Sequence, residues 1–208
     1  FIPIESGNRN LNATESDQWS LGLVWSPLDG LSFGIDYYNI DIDEEISRST
    51  YQRLMDQEFA LRQAGEAGSL VGGVSRGVGG RLVSIDNPLI NVATRKTEGV
   101  DLDLRWAFSI GRFGDVRTSL LWTHVINFEE SDIADPSREV SRDGDLFFPE
   151  DRGQLTLDWA LGDFTATTVG SYTASQSGGS DFCFFLDPCR FASFTTWDVQ
   201  ASYSAPWG

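Results

Sequence analysis

The stretch "EGVDLDLRWAF" (98–108) holds two chemistries in one run of residues. Val100, Leu102, Leu104, Trp106 and Phe108 form one alternating set, all apolar. Gly99, Asp101, Asp103, Arg105 and Ala107 form the other, small or charged. A period of two marks a β-strand whose faces meet different surroundings. One side wants an apolar medium, and the other wants water or counter-charges.

The same alternation recurs along the chain. "QWSLGLVWS" sets Trp19, Leu21, Leu23 and Trp25 against Gln18, Ser20 and Gly22. "LSFGIDYY" sets Leu31, Phe33, Ile35 and Tyr37 against Ser32, Gly34 and Asp36. "GQLTLDWAL" and "TTWDVQASY" repeat the pattern, with Asp158 and Asp198 on their polar sides. Two weaker cases, "DVRTSLLWTHV" and "DFTATTVGSY", complete the series. Strands are therefore expected at 18–26, 31–40, 97–108, 115–126, 153–161, 164–173 and 195–204, consecutive and antiparallel. Leu102, Leu104, Leu155, Leu157 and Val199 should point away from Asp101, Asp103, Asp158 and Asp198, because a slip of one residue would exchange the faces.

The connections alternate as well. "SPLDG" (26–30), "SIGRFGD" (109–115) and "LGD" (161–163) are short and carry turn residues. Long polar segments at 44–94, 127–151 and 174–193 separate them. A soluble sandwich has no reason to gather all its long loops at one end, whereas a membrane β-barrel has short periplasmic turns and long outer loops. Aromatics flank the short turns: Trp25, Trp106, Phe108, Phe113, Trp159, Phe164, Tyr203 and Trp207. That is the expected girdle at one membrane interface. Ten residues at ~3.3 Å each, tilted near 45°, rise roughly 23 Å, about the height of an outer-membrane apolar band. The fold class expected is all-β, a portion of an antiparallel transmembrane barrel. Charges such as Asp101, Asp103 and Arg105 then face a wet lumen and can pair with neighbouring strands.

Composition narrows the function. The 208 residues carry a formal net charge of −16, which argues against nucleic-acid binding. One His makes imidazole-based metal sites improbable. No apolar run approaches the ~18 residues of a membrane helix. The chain opens on "FIPIES" without Met or signal peptide, and reads as a piece of something longer.

The longest connection is expected to hold a helix in "SRSTYQRLMDQEFALRQAGEAG", with Ser49 and Gln52 as a capping box and Gly65 or Gly68 as the stop. "GSLVGGVSRGVGG" lacks both the GxxxxGK(S/T) and GxGxxG patterns and reads as a flexible loop. Cys183 and Cys189 stand in "DFCFFLDPCRF" with no third or fourth zinc ligand beside them. A local disulfide is the better reading, on the side opposite the short turns. It implies an oxidising compartment and contributes about 2 kcal/mol by chain entropy. Phe184, Phe185 and Leu186 within that loop are candidates for solute or partner contact, with packing onto a neighbouring loop as the alternative.

Asp41, Asp43 and Glu45 in "DIDEEIS" are weak calcium candidates without the EF-hand order, and a solvated loop mouth is the plainer reading. Glu129, Glu130, Asp132 and Asp135 form a similar acidic loop. His124 reads as a hydrogen-bonded rim residue. No carboxylate pair or nucleophile constellation singles itself out, so no catalytic site and no cofactor are expected.

In four places the residues resemble the TonB-dependent receptors, plugged outer-membrane transporters of Gram-negative bacteria. "GNRNLNATESDQWSLGLVWSP" is similar to the family's "GNPxLxPExSxxxxxGxxW" through Gly7, Asn8, Leu11, Glu15, Ser16, Gly22 and Trp25. Arg9 and Ala13 replace the usual prolines, and Glu15 falls one position late. "LSFGIDYYNIDIDEEI" resembles the strand that follows. "TRKTEGVDLDLRW" matches the "GxE/D" strand through Gly99, Val100 and Asp101. "TWDVQASYSAPWG" resembles the strand before the last hairpins. The resemblance implies a late portion of a barrel of about 22 strands, with plug, N-terminal box and last strand outside the chain. It further implies three partners: outer-membrane lipid, a small solute, and a TonB-type energising protein acting through the missing N-terminal region. The alternative of another class is a secreted all-β glycan-binding module or glycan-active enzyme, with Trp faces as sugar platforms.

Overall fold

A computed structural model describes residues 1–65, 73–131, 138–178 and 189–205. In chain order its elements begin with β1 (Ile2–Ile4), β2 (Glu15–Leu28), β3 (Leu31–Arg48) and α1 (Tyr51–Gln63). Next come β4 (Val74–Arg76), β5 (Leu82–Asp86), β6 (Leu89–Ser109), β7 (Asp115–Ser131) and β8 (Glu139–Ser141). The rest are β9 (Asp151–Leu161), β10 (Phe164–Thr173), β11 (Gln176–Ser177), β12 (Arg190–Phe191) and β13 (Phe194–Tyr203).

All seven expected strands are present in one sheet, in the order β13-β10-β9-β7-β6-β3-β2, with β8 paired to β7. β7 with β9, β9 with β10 and β10 with β13 pair antiparallel. Several strands run further than the alternation indicated. β3 continues to Arg48, β6 starts at Leu89 and β7 reaches Ser131, all within segments expected as loop. There the steady alternation lapses, with apolar and polar residues mixed in "LINVATRK" and "NFEES". Ladder hydrogen bonds do not require an apolar face, so pairing outlasts the pattern by which a strand is read.

The short connections tighten to a few residues. Asp29 and Gly30 join β2 to β3, and Gly162 and Asp163 join β9 to β10. Between β6 and β7 a single 3₁₀ turn spans Gly111–Phe113. Gly114 closes that turn with φ +94°, and a Cβ there would stand 2.0 Å from the Ala160 carbonyl oxygen. Only glycine satisfies both the conformation and the close approach.

The chain divides into two compact units. One comprises Phe1–Asp17, Asp41–Lys96 and Glu129–Ser141; the other comprises Gln18–Ile40, Thr97–Phe128 and Arg142–Gly208. Within the first, β1 lies parallel to β5 and β4 antiparallel to it, pairing Ile2 with Ser84 and Val74 with Ile85. Leu54 of α1 meets Val74 and Ile85 in a small core, with Tyr51, Met55 and Leu82 against it. The Gly-rich segment expected as flexible thus supplies β4. Thr50, not Ser49, caps α1: the Arg53 amide donates to Thr50 Oγ1 at 3.2 Å. The Ser49 carbonyl, one residue earlier, accepts from the buried Asn87 side chain at 2.6 Å. Gly65 follows the helix with φ +79°, as expected.

Glu58 holds this unit together. Its nearly buried carboxylate accepts Arg76 Nε and Nη2, at 2.9 and 2.7 Å, and also pairs with Arg62 one turn along α1. Arg76 Nη1 donates onward to the Gly80 carbonyl at 3.1 Å. Hydrogen bonding from Arg76, then from Arg62, outweighs desolvation and holds the Glu58 carboxyl down at about 2 from its ordinary 4.5. A lowered acid stabilises the fold above its unfolded pKa, and that contribution disappears as pH falls from about 4.5 toward 2. Hydrogen–deuterium exchange in α1, corrected for intrinsic rate, should therefore accelerate across that window. Glu58→Gln should show fast exchange at pH 7 already and little change on acidification.

Candidate functional site

Register fixes which side chains share a face. Leu155, Leu157, Trp159 and Leu161 stand opposite Gly170, Thr168, Ala166 and Phe164 of β10. Those residues stand opposite Trp197, Val199, Ala201 and Tyr203 of β13. This apolar side is open: Leu157 is 40% and Val199 74% exposed. The other side is polar. Asp158 pairs with Thr167 and Arg117, and Gln200 lies opposite Thr167. Thr167 Oγ1 donates to Asp158 and Thr123 Oγ1 to Asp101, each at 2.6 Å. Arg105 binds Asp103 at 2.6 Å on the same strand. The expected facing of Leu102, Leu104, Leu155, Leu157 and Val199 follows from these registers and contacts. Leu121 departs from the pattern: it lies opposite Gln154, on the polar side.

Aromatic rings gather toward both ends of the apolar face. Near the turns, Trp159 Nε1 donates to the Phe113 carbonyl at 2.7 Å and its ring meets Phe164 edge-on at 5.6 Å. Trp106 and Phe108 lie 4.4 Å apart, and Phe164 faces Tyr203 across the strands. A second band lies farther along. Trp122 stacks on Tyr172 at 5.3 Å, covers Gly153, and donates Nε1 to Asp151 Oδ1 at 3.0 Å. The Trp197 ring covers Gly170 in the same way, and Trp19 meets Tyr37 at 4.9 Å. Along β10, Phe164 to Tyr172 spans roughly 26 Å of strand, or about 19 Å of height at a 45° tilt. The alternation alone did not reveal this second band. Its sequence trace is a glycine placed opposite a Trp, visible only once the register is known.

His124 Nδ1 lies 2.9 Å from Asp151 Oδ1, at the strand position expected of a hydrogen-bonded rim residue. The calcium candidates do not converge. Glu45 pairs with Arg95 at 3.2 Å, and among the described residues no three His, Cys, Asp or Glu side chains form a group that could hold an ion. Spaced two apart along β3, Asp41, Asp43 and Glu45 are spread along the strand instead of folding round a centre. Cys183, Phe184, Phe185 and Leu186 lie outside the described residues. Cys189 is described, and its carbonyl accepts the Gly178 amide at 2.8 Å.

The sequence model of the TonB dependent receptor-like β-barrel matches residues 2–207. The chain belongs to the TonB-dependent receptor family. Solved structures share the fold at low identity. A variant of the ferric enterobactin receptor of Pseudomonas aeruginosa has a TM-score of 0.63 at 18% identity, over 95% of this chain and 24% of that one. The outer membrane transporter YddB of Escherichia coli has 0.63 at 10%, over 96% and 27%. The siderophore receptor PirA of Acinetobacter baumannii has 0.60 at 16%, over 96% and 27%. No curated protein matches the sequence. The chain spans about a quarter of the length of these structures.

Membership places this TonB-dependent receptor segment in the outer membrane of a Gram-negative bacterium and sets aside the secreted glycan-module alternative. The apolar face with its aromatic bands meets lipid; the Asp158, Thr167 and Asp101 face lines the barrel interior. The family motif acquires a physical role within the first unit. Asn8 Nδ2 donates to the Leu89 carbonyl at 3.0 Å, and the Asn12 amide to Asn91 Oδ1 at 2.8 Å. Asn91 Nδ2 returns a bond to the Asn12 carbonyl at 3.1 Å and another to Glu44 at 2.7 Å. That last bond helps hold Glu44 at φ +55°, a left-handed conformation non-glycine residues seldom take.

Arginine at Leu157 would put a charge among the apolar side chains of the lipid face. Leu157→Arg should cost roughly 2–4 kcal/mol if the site lies at mid-membrane. Denaturant unfolding of the full-length receptor in lipid vesicles measures this, with the lumen-facing Thr156→Arg as the control expected to cost less.

Proposed function

We propose that this chain forms part of the barrel of a receptor for energised uptake of a scarce solute across the outer membrane. The carrying observation is the family match over residues 2–207 together with the two-faced sheet it describes. Siderophores, vitamins, metal complexes and oligosaccharides are the candidate solute classes, and an iron chelate comes first. Similar structures include a ferric enterobactin receptor, a siderophore receptor and the FrpB iron transporter of Neisseria meningitidis. In this reading the energising partner is a TonB-type protein, acting through a part of the receptor outside this chain. The activity is transport, not catalysis.

The full-length receptor, expressed in a Gram-negative host stripped of its own siderophore receptors, should restore growth under iron chelation with at least one supplied ferric chelate. Deleting the host's TonB should abolish that growth. Growth restored equally without TonB would defeat the energised-uptake reading.

We further propose that Cys183 and Cys189 are joined, and that Phe184, Phe185 and Leu186 contact solute or a neighbouring loop. The six-residue spacing and the oxidising side of the membrane support the bond. Mass spectrometry of the non-reduced protein should find the peptide 2 Da below its dithiol mass (~1 Da for each thiol hydrogen lost), and alkylation should add nothing.

A further inference from the structure

We infer that the turn joining β6 to β7 carries a headgroup site for an anionic phospholipid of the periplasmic leaflet, centred on Arg112 and Phe113.

The turn is built to hold one shape. The Ile110 amide donates to the Gly114 carbonyl at 2.8 Å, and the Gly114 amide to the Gly111 carbonyl at 3.1 Å. Trp159 of β9 pins it from the neighbouring strand through its bond to the Phe113 carbonyl. Trp159 belongs to the lipid-facing row, so that bond sets Phe113 beside the row. Phe113 is 55% exposed and Ile110 42%, and both carry the apolar set of Trp106 and Phe108 past the end of the strand. The lipid face therefore continues onto the turn.

Charge sets this turn apart from the other two short ones. Asp29 lies in the β2–β3 turn and Asp163 in the β9–β10 turn, whereas this one carries Arg112. The Arg112 Cζ lies over the Phe113 ring, 4.8 Å from its centre. A guanidinium stacked on a ring uses its flat face and keeps its N–H groups directed outward in its own plane. Among the described residues Arg112 stands in no ion pair. Asp115, the nearest carboxylate in sequence, lies opposite Ala160 on the interior side.

A forked cation laid on an aromatic ring at the rim of an apolar face suits one kind of molecule. Acyl chains rest against Phe113 and Ile110, and phosphodiester oxygens meet the edge of the guanidinium. A soluble phosphate would use the cation and leave the apolar surface bare. A zwitterionic lipid brings an ammonium, which the Asp29 and Asp163 turns attract more strongly. A phosphatidylglycerol-type headgroup brings one negative charge with nothing to cancel it. The chain's net charge of −16 works against such a lipid elsewhere. Enrichment at this turn is thus the opposite of what overall charge predicts.

The test uses the full-length receptor in phosphatidylcholine vesicles holding about 10% phosphatidylglycerol, a mildly anionic surface. Either lipid carries a photoactivatable group near the head end of one acyl chain, and peptide mapping scores the crosslinks. The phosphatidylglycerol-to-phosphatidylcholine ratio at the β6–β7 turn is divided by that at the β9–β10 turn, so bilayer composition cancels. Wild type should give about fivefold, the enrichment one basic residue supports at an anionic surface. Arg112→Gln should return the quotient to parity. Heat-resistant migration on gels checks assembly; should Arg112→Gln fail it, the wild-type quotient in high salt decides, and it should collapse toward parity. Free glycerol phosphate at constant ionic strength should leave the quotient standing; its loss would assign the site to a soluble anion and overturn the lipid assignment. Wild-type parity, an unchanged quotient in Arg112→Gln, or indifference to salt would also overturn it. The readout needs no transport, so it stands or falls apart from the uptake reading.

Discussion

The long strands lack a protein core on their apolar side, and the rest of the architecture answers to that. Among the described residues the buried apolar side chains are Leu54, Val74 and Ile85, all in the loop-built unit. Trp19, Leu21, Leu23, Leu155, Leu157, Trp197 and Val199 stand open instead. At about 25 cal/mol per Å² of apolar surface, a sheet this exposed would be heavily penalised in water. A hydrocarbon solvent removes the penalty, on condition that backbone polar groups are paired. Antiparallel pairing through short turns supplies that along the sheet.

Rings and glycines are matched on both faces. Trp122 lies over Gly153 and Trp197 over Gly170 on the lipid side, while Tyr38 covers Gly99 on the interior side. Each glycine leaves a shallow floor on which a large ring can rest against backbone. Glycine weakens a strand by itself, through lost packing and greater chain entropy. The covering ring offsets part of that loss and hides the bare backbone. At Trp122 the arrangement also aims the indole N–H at Asp151, giving the ring a polar anchor where lipid gives way to water.

Strand identity was legible because a period of two is local: any eight residues of "GVDLDLRW" carry it. Strand length was not, since in the outer portions of β3, β6 and β7 the alternation lapses while the ladder pairing continues. The loop unit was hidden for a related reason. Its sheet pairs Ile2–Ile4 with Ser84–Asp86, far apart in the chain, and no short window contains both. Thr50 took the cap in place of Ser49, a one-residue shift that two adjacent hydroxyls do not announce. Phe147 left no trace either, because no sequence pattern announces a left-handed phenylalanine.

The Glu58 cluster has a bearing on assembly. The segment that carries it connects the ends of β3 and β6 remote from the short turns, so in a membrane-spanning barrel it must reach the far side of the bilayer. A carboxylate and two guanidiniums locked together on a folded helix and hairpin make bulky cargo, costly to draw through hydrocarbon in any form. Threading is easier as an extended chain along a wet path. The folded form is then the costlier one to draw back, because the Glu58–Arg76 pair would have to break or cross hydrocarbon intact.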